Sequence, residues 1–177
     1  LKLDYTYIVP EYGADRTGVL NTSNGKIFAI AQWYPRICVY DDLRGWNTDP
    51  YLGAGEFYLE YGDYSVNITA ASDQVVVSSG ELLNAPDVLT ADQLKKYNAA
   101  KESDQTVIIR SKEDITNPAT RVKKPTLNWK FQLKNARDFA WASSNAFIWD
   151  AARINVGSGR KILAMSVYPV EDRKSVV

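Results

Sequence analysis

Six carboxylates crowd one stretch of the sequence: Asp41, Asp42, Asp49, Glu56, Glu60 and Asp63. Two carboxyl groups held at a fixed separation can cleave a glycosidic bond, one protonating the leaving oxygen and the other attacking or activating water. Carboxylates also bind calcium together with loop carbonyls, but the spacing here has no calcium-loop pattern. Acidic residues set among Gly, Asn and Pro ordinarily form turns and stay solvated, and that is the role expected of them. Just upstream, Gln32, Trp33, Tyr34, Pro35 and Arg36 put an amide, two rings and a guanidinium in one short run.

No histidine occurs in the 177 residues. Histidine is the commonest metal ligand and general base near neutral pH. Its absence excludes a Ser-His-Asp triad, a Cys-His pair and any His-ligated zinc. Cys38 is the single cysteine, so neither an internal disulfide nor a cysteine-based metal site can form. Between Ile37 and Val39 it reads as a buried small hydrophobe. Arg36, Arg44 and Arg153 can clamp anions, but ion pairing with neighbouring aspartates is the simpler expectation. Gly53 and Gly55 are not part of a phosphate loop, since no GxxxxGK[ST] or GxGxxG pattern follows. Asn21 and Asn67 open glycosylation sequons, a weak signal that depends on a secretory host.

Twenty-one basic residues balance 21 acidic ones. Zero net charge argues against a nucleic-acid partner, which ordinarily shows as a basic excess. No apolar run is long enough to span a bilayer as a helix. The length suits one domain.

The elements that must position these residues are mostly strands. Period-two alternation predicts strands at Leu1 to Val9, Ile27 to Trp33, Glu56 to Tyr61, Tyr64 to Thr69, Gln74 to Ser79, Thr106 to Ser111, Thr126 to Leu133, Phe147 to Ile154 and Lys161 to Tyr168. Ile27 to Trp33 is nearly all apolar and is expected to be buried on both faces. Glu11 to Asn24 reads as a polar loop, and Gly62 with Asp63 as a tight hairpin or a bulge. Leu127, Trp129, Phe131 and Leu133 should face inward, with Asn128, Lys130 and Gln132 outward. Thr90 followed three residues later by Gln93 is a capping box, and it predicts a short helix over Ala91 to Ala100. The segment 84–125 reads as an insertion between strands. Many short strands and one helix predict an antiparallel, saddle-like β-sandwich.

The aromatic content offers a second chemistry. Trp33, Trp46, Trp129, Trp141 and Trp149, with 11 tyrosines, could stack on sugar faces in a carbohydrate-binding module. Trp129 and Trp141 fall on inward phases and are expected in the core. Trp46, in a loop, is the one expected to be exposed or to meet a partner.

From Ile27 to Leu83 the chain resembles the N-terminal β-domain of the aminopeptidase N family of zinc enzymes, in a divergent bacterial branch. The resemblance rests on Ala31 to Arg36, on Gly55 to Tyr64, on Val75 to Leu82 and, near the other end, on Arg137 to Ala142. In that family the β-sandwich precedes a thermolysin-like catalytic domain. That domain carries a Gly-x-Met-Glu-Asn strand and a zinc-binding HExxH helix with a later glutamate, and none of these motifs occurs here. The resemblance thus implies a non-catalytic domain whose partner is the catalytic domain of the same polypeptide. Zinc would belong to that domain, with no cofactor in this chain. It implies peptide substrates, and it makes Gln32 the candidate to hold the substrate's free amine, with Trp33 and Tyr34 on the same wall. The family's domain has further strands before the point matching Leu1. A truncated domain is therefore expected, with an unpaired edge near Leu3 to Val9 that invites self-association.

Overall fold

The computed structural model describes residues 1–11 and 16–174. In chain order the strands and helices are β1 (Thr17–Thr22), β2 (Gly25–Ile30), β3 (Tyr40–Asp41), β4 (Gly45–Trp46), β5 (Gly62–Ala71), β6 (Val75–Ser78), β7 (Glu81–Leu82), α1 (Ala85–Val88), α2 (Ala91–Glu102), β8 (Val107–Arg110), α3 (Lys112–Ile115), β9 (Thr126–Ala136), β10 (Trp141–Ser144), β11 (Ile148–Asn155) and β12 (Lys161–Tyr168). The protein is mainly β and of the sandwich type, as its alternation predicts. Three antiparallel sheets, ordered β1-β2-β10-β6, β5-β9-β7 and β12-β11-β8, are joined by a two-stranded ribbon, β3-β4.

The clearest pattern in the sequence is the clearest strand in the structure. Along β9, Leu127, Trp129 and Phe131 are buried and Asn128, Lys130 and Gln132 are exposed, because successive side chains of a strand point to opposite faces. The inward faces of all three sheets share one core. It holds Val76 of β6, Trp129 and Phe131 of β9, and Ile109 and Trp149 of β8 and β11.

Helices are more numerous than the single one expected. The capping box at Thr90 is present: its hydroxyl accepts from Gln93 N at 3.3 Å while Gln93 Oε1 accepts from Thr90 N at 3.1 Å. It opens α2, which runs to Glu102. Two one-turn helices, α1 and α3, flank it. Neither repeats long enough to leave a periodic signature. The segment 84–125 is packed into the sandwich: β8 completes a sheet beside β11, and Ala85, Val88, Tyr97 and Ala100 enter the common core.

Several expected strands are corrected. Leu1 to Val9 is not a strand, nor is Glu56 to Tyr61. Alternation supplies a face, but a strand also needs a neighbour to complete its ladder. The opening residues are held instead by Tyr5, whose hydroxyl donates to Trp33 O at 2.8 Å, and by stacking of Tyr5 on Tyr7 at 6.3 Å. The unpaired edge foreseen at Leu3 to Val9 is therefore not formed. Thr17–Thr22, expected as loop, is β1, paired with β2 from Thr17 opposite Ile30 to Thr22 opposite Gly25. β2 is buried at Ile30 alone, with Ala29 exposed, so it is not covered on both faces. Gly62 and Asp63 form no hairpin turn; they begin β5 with a register shift against β9, which is the bulge alternative. Asp63 Oδ1 fixes it by accepting from Asn135 N at 2.9 Å. Among the described residues no helix is long and apolar enough to cross a membrane.

Candidate functional site

Where β2 ends, the chain leaves its sheet through Gln32, whose φ of 51° is left-handed. A non-glycine residue there is costly and marks a place where the surroundings fix the backbone. Ala31 N is tied back to Arg16 O at 3.0 Å, so the strand's register is held up to the turn. Beyond Gln32, consecutive side chains take different roles. Trp33 packs on the core: its Nε1 donates to Phe139 O at 3.0 Å and its ring meets Trp141 edge-on at 6.5 Å. Gln32 and Tyr34 instead line a cleft of about 430 Å³ with Arg36, Ile37 and Cys38. Of the three residues singled out by the resemblance, Gln32 and Tyr34 line the cleft, while Trp33 touches Tyr34 edge-on at 5.1 Å without lining it. Hydrogen bonding to Phe139 O and packing on Trp141 hold that orientation.

The floor of the site is a polar-aromatic knot. Tyr34 OH donates to Asp138 Oδ1 at 3.3 Å, and Arg36 is ion-paired with the same carboxylate. The Arg36 guanidinium lies 4.8 Å from the Tyr34 ring centroid, in cation–π range. Tyr64 meets Tyr34 edge-on at 6.0 Å. Burial, followed by the hydrogen bond to Tyr64, pushes the Tyr34 hydroxyl well above the ordinary phenol range, so it stays a donor. Arg36 was expected to pair with an aspartate near it in sequence. Its partner lies 102 positions away, and no signal in one sequence points there.

The opposite wall is the loop from Asn47 to Leu59. Tyr51 stacks on Phe57 with centroids 5.1 Å apart, and Arg16 pairs with Glu56. Hydrogen bonds to Tyr51 and Glu56 raise Arg16 above its ordinary value. Of the six clustered carboxylates, Asp49 and Glu56 face the cleft. Asp41 is a turn former, accepting from Leu43 N at 3.0 Å and Arg44 N at 2.7 Å, as its loop composition suggests.

Cys38 is exposed rather than buried, on the cleft wall. The chain after Pro35 joins no sheet until Tyr40, so Ile37 and Cys38 stand clear while Val39 alone turns inward. Trp46 is exposed as expected, at 60%, together with Ile37 at 75% and Leu43 at 90%. Tyr40 and Trp46 meet at an interplanar angle of 67°, which gives a ridge and not a flat platform for a sugar ring.

The arrangement can receive a small cationic group. The Gln32 amide offers an acceptor and Asp49 a carboxylate, while Glu56 and Arg36 on the same lining are already ion-paired, with Arg16 and Asp138. Among the described residues no three His, Cys, Asp or Glu side chains are grouped to hold an ion. No protein-family model, curated protein or solved structure matches the chain.

Proposed function

We propose that the chain is the non-catalytic β-domain of a zinc aminopeptidase of the aminopeptidase N type. In this reading it covers the active-site cleft of a catalytic domain in the same polypeptide and helps to hold the free amine of a peptide substrate. Zinc and the general base belong to that catalytic domain. The residues here do not fit zinc, and no step through it is assigned to them.

The observation that carries the proposal is the placement of Gln32. A left-handed turn sets it at the rim of a cleft that also holds Asp49 and Glu56. A primary ammonium has three donors to satisfy, and an amide oxygen in a cleft that also holds the Asp49 carboxylate suits it. A second observation agrees. The flank between Ile37 and Tyr61 exposes Leu43, Trp46, Leu52 and Tyr58, a concentration of apolar surface fitting a face that meets another domain.

The coding sequence beyond Val177 is the first test. A Gly-x-Met-Glu strand followed by HExxH and a later glutamate is expected, and an unrelated domain there would overturn the reading. In the intact enzyme, Gln32→Ala should raise KM for peptides with a free amine by roughly ten- to a hundred-fold, the worth of one hydrogen bond to a charged group. Unchanged KM would remove Gln32 from the amine site.

A further inference from the structure

Beneath the segment 84–125 lies a second cavity, far smaller than the cleft, at about 20 Å³. It is lined by Gln74, from the turn before β6, Arg110 of β8, Arg121 after the short 3₁₀ turn Pro118–Thr120, Trp129 of β9 and Trp149 of β11. Four of these residues carry a buried polar atom with no hydrogen-bond partner: Gln74 Oε1, Arg121 Nε, Trp129 Nε1 and Trp149 Nε1. Both indoles are 1% exposed. A buried polar group left unpaired costs roughly 1–3 kcal/mol, and a fold seldom gathers four of them around one space without a common partner.

The chemistry of the lining selects the guest. Three groups donate, two indole N–H and one guanidinium N–H, and Gln74 Oε1 accepts. A halide accepts but cannot donate, so it would leave Gln74 Oε1 unpaired. It would also face Asp73, which lines the same cavity and lies 3.9 Å from Arg121 Nη1. Arg110 does not demand an anion either: its guanidinium donates to Phe147 O at 2.7 Å and to Asn145 O at 3.0 Å. A water molecule both accepts and donates. It needs roughly 10–15 Å³ of such space and two to four polar partners, and the cavity supplies both.

We propose that this cavity is an internal hydration site, in which one long-lived water accepts from the Trp129 and Trp149 indoles and donates to Gln74. It would tie the turn at Gln74 to β9 and β11, strands of two sheets that share no ladder, so the water acts as a structural cross-link between those sheets.

The test is protein–water cross-relaxation in the ¹⁵N-labelled full chain. The indole N–H protons of Trp129 and Trp149 should show water cross-peaks with the sign of a slowly exchanging molecule. Trp33, whose indole is bonded to Phe139 O, should show none. Gln74→Met, close in shape but without the acceptor, should lose the peaks while the other indole shifts hold. Absence of the peaks in the unmodified chain would overturn the proposal, whether or not the variant folds. So would saturable shifts of the two indoles on adding bromide, which would assign an anion instead.

Discussion

Arg36, on the lining of the cleft, forms an ion pair with Asp138 that joins the segment after β2 to the turn before β10. The Tyr34 ring lies 4.8 Å from the guanidinium, so one side of the charge is covered by a π face. Asp138 also accepts from its neighbour Phe139 N at 2.6 Å, a second contact that holds the carboxylate in place. The pair is only partly exposed, at 19% and 33% of the two side chains.

Asp138→Ala should therefore lower stability by roughly 1–3 kcal/mol, between the values for exposed and buried pairs. It should also loosen the cleft wall. Urea unfolding with a Tyr34→Phe comparison checks this. A change below about 0.3 kcal/mol would show that the pair behaves like an exposed one.

Gly80, in the bend between β6 and β7, has φ of 84°, and a Cβ there would stand 2.3 Å from Gln132 O on β9. Neither backbone can yield without breaking the β7–β9 pairing. Gly80→Ala should cost about 3 kcal/mol or more, strain plus overpacking. Gly157, with φ of 94° and nothing within 4 Å, isolates the strain alone. Gly157→Ala should cost roughly 1–2 kcal/mol. Thermal unfolding of the two variants should rank them in that order.

Cys38 should react with a water-soluble maleimide in the folded protein, one label per chain and without denaturant, because it is exposed. Since it stands on the cleft wall, the label should quench or shift the fluorescence of nearby rings such as Tyr34 and Tyr51. Labelling that requires denaturant would contradict the exposed placement.

Asp104 accepts from Arg153 Nε at 2.8 Å, and that hydrogen bond holds its carboxyl below the usual range. Glu171 is lowered likewise, by the Ser23 hydroxyl and then the Ser23 backbone N–H. A carboxylate with a depressed folded pKa contributes stability that is whole above the unfolded value, about 4. That contribution is lost as pH falls through the lower folded value. Stability should hold down to about pH 4 and decline below it. Asp104→Asn should make the acid limb shallower in a pH series of urea midpoints. At the alkaline end, burial raises Tyr97 and Tyr34. In an absorbance titration these two should ionise after the exposed tyrosines.

Sequence alone made several elements legible, and for a physical reason: they are set by local periodicity. β9 alternates from Thr126 to Leu133, β12 follows the Gly157–Gly159 turn, and α2 begins at a capping box whose two hydrogen bonds join residues three apart. Alternation misled at Leu1 to Val9 and at Glu56 to Tyr61, because a ladder partner is a property of the fold and not of the segment. The candidate site divides the same way. Gln32 and Tyr34 were readable as neighbours in a polar-aromatic run. That Trp33 between them packs on the core and that Arg36 finds Asp138 were decided by contacts more than a hundred positions away, and Cys38 is exposed because the chain after Pro35 joins no sheet until Tyr40. The sequence by itself determined a mainly β chain without histidine, and so without any imidazole chemistry of its own. Only the tertiary structure decided which side chains share the cleft and which polar atoms are buried together beneath the segment 84–125, because both depend on contacts between residues far apart in the chain.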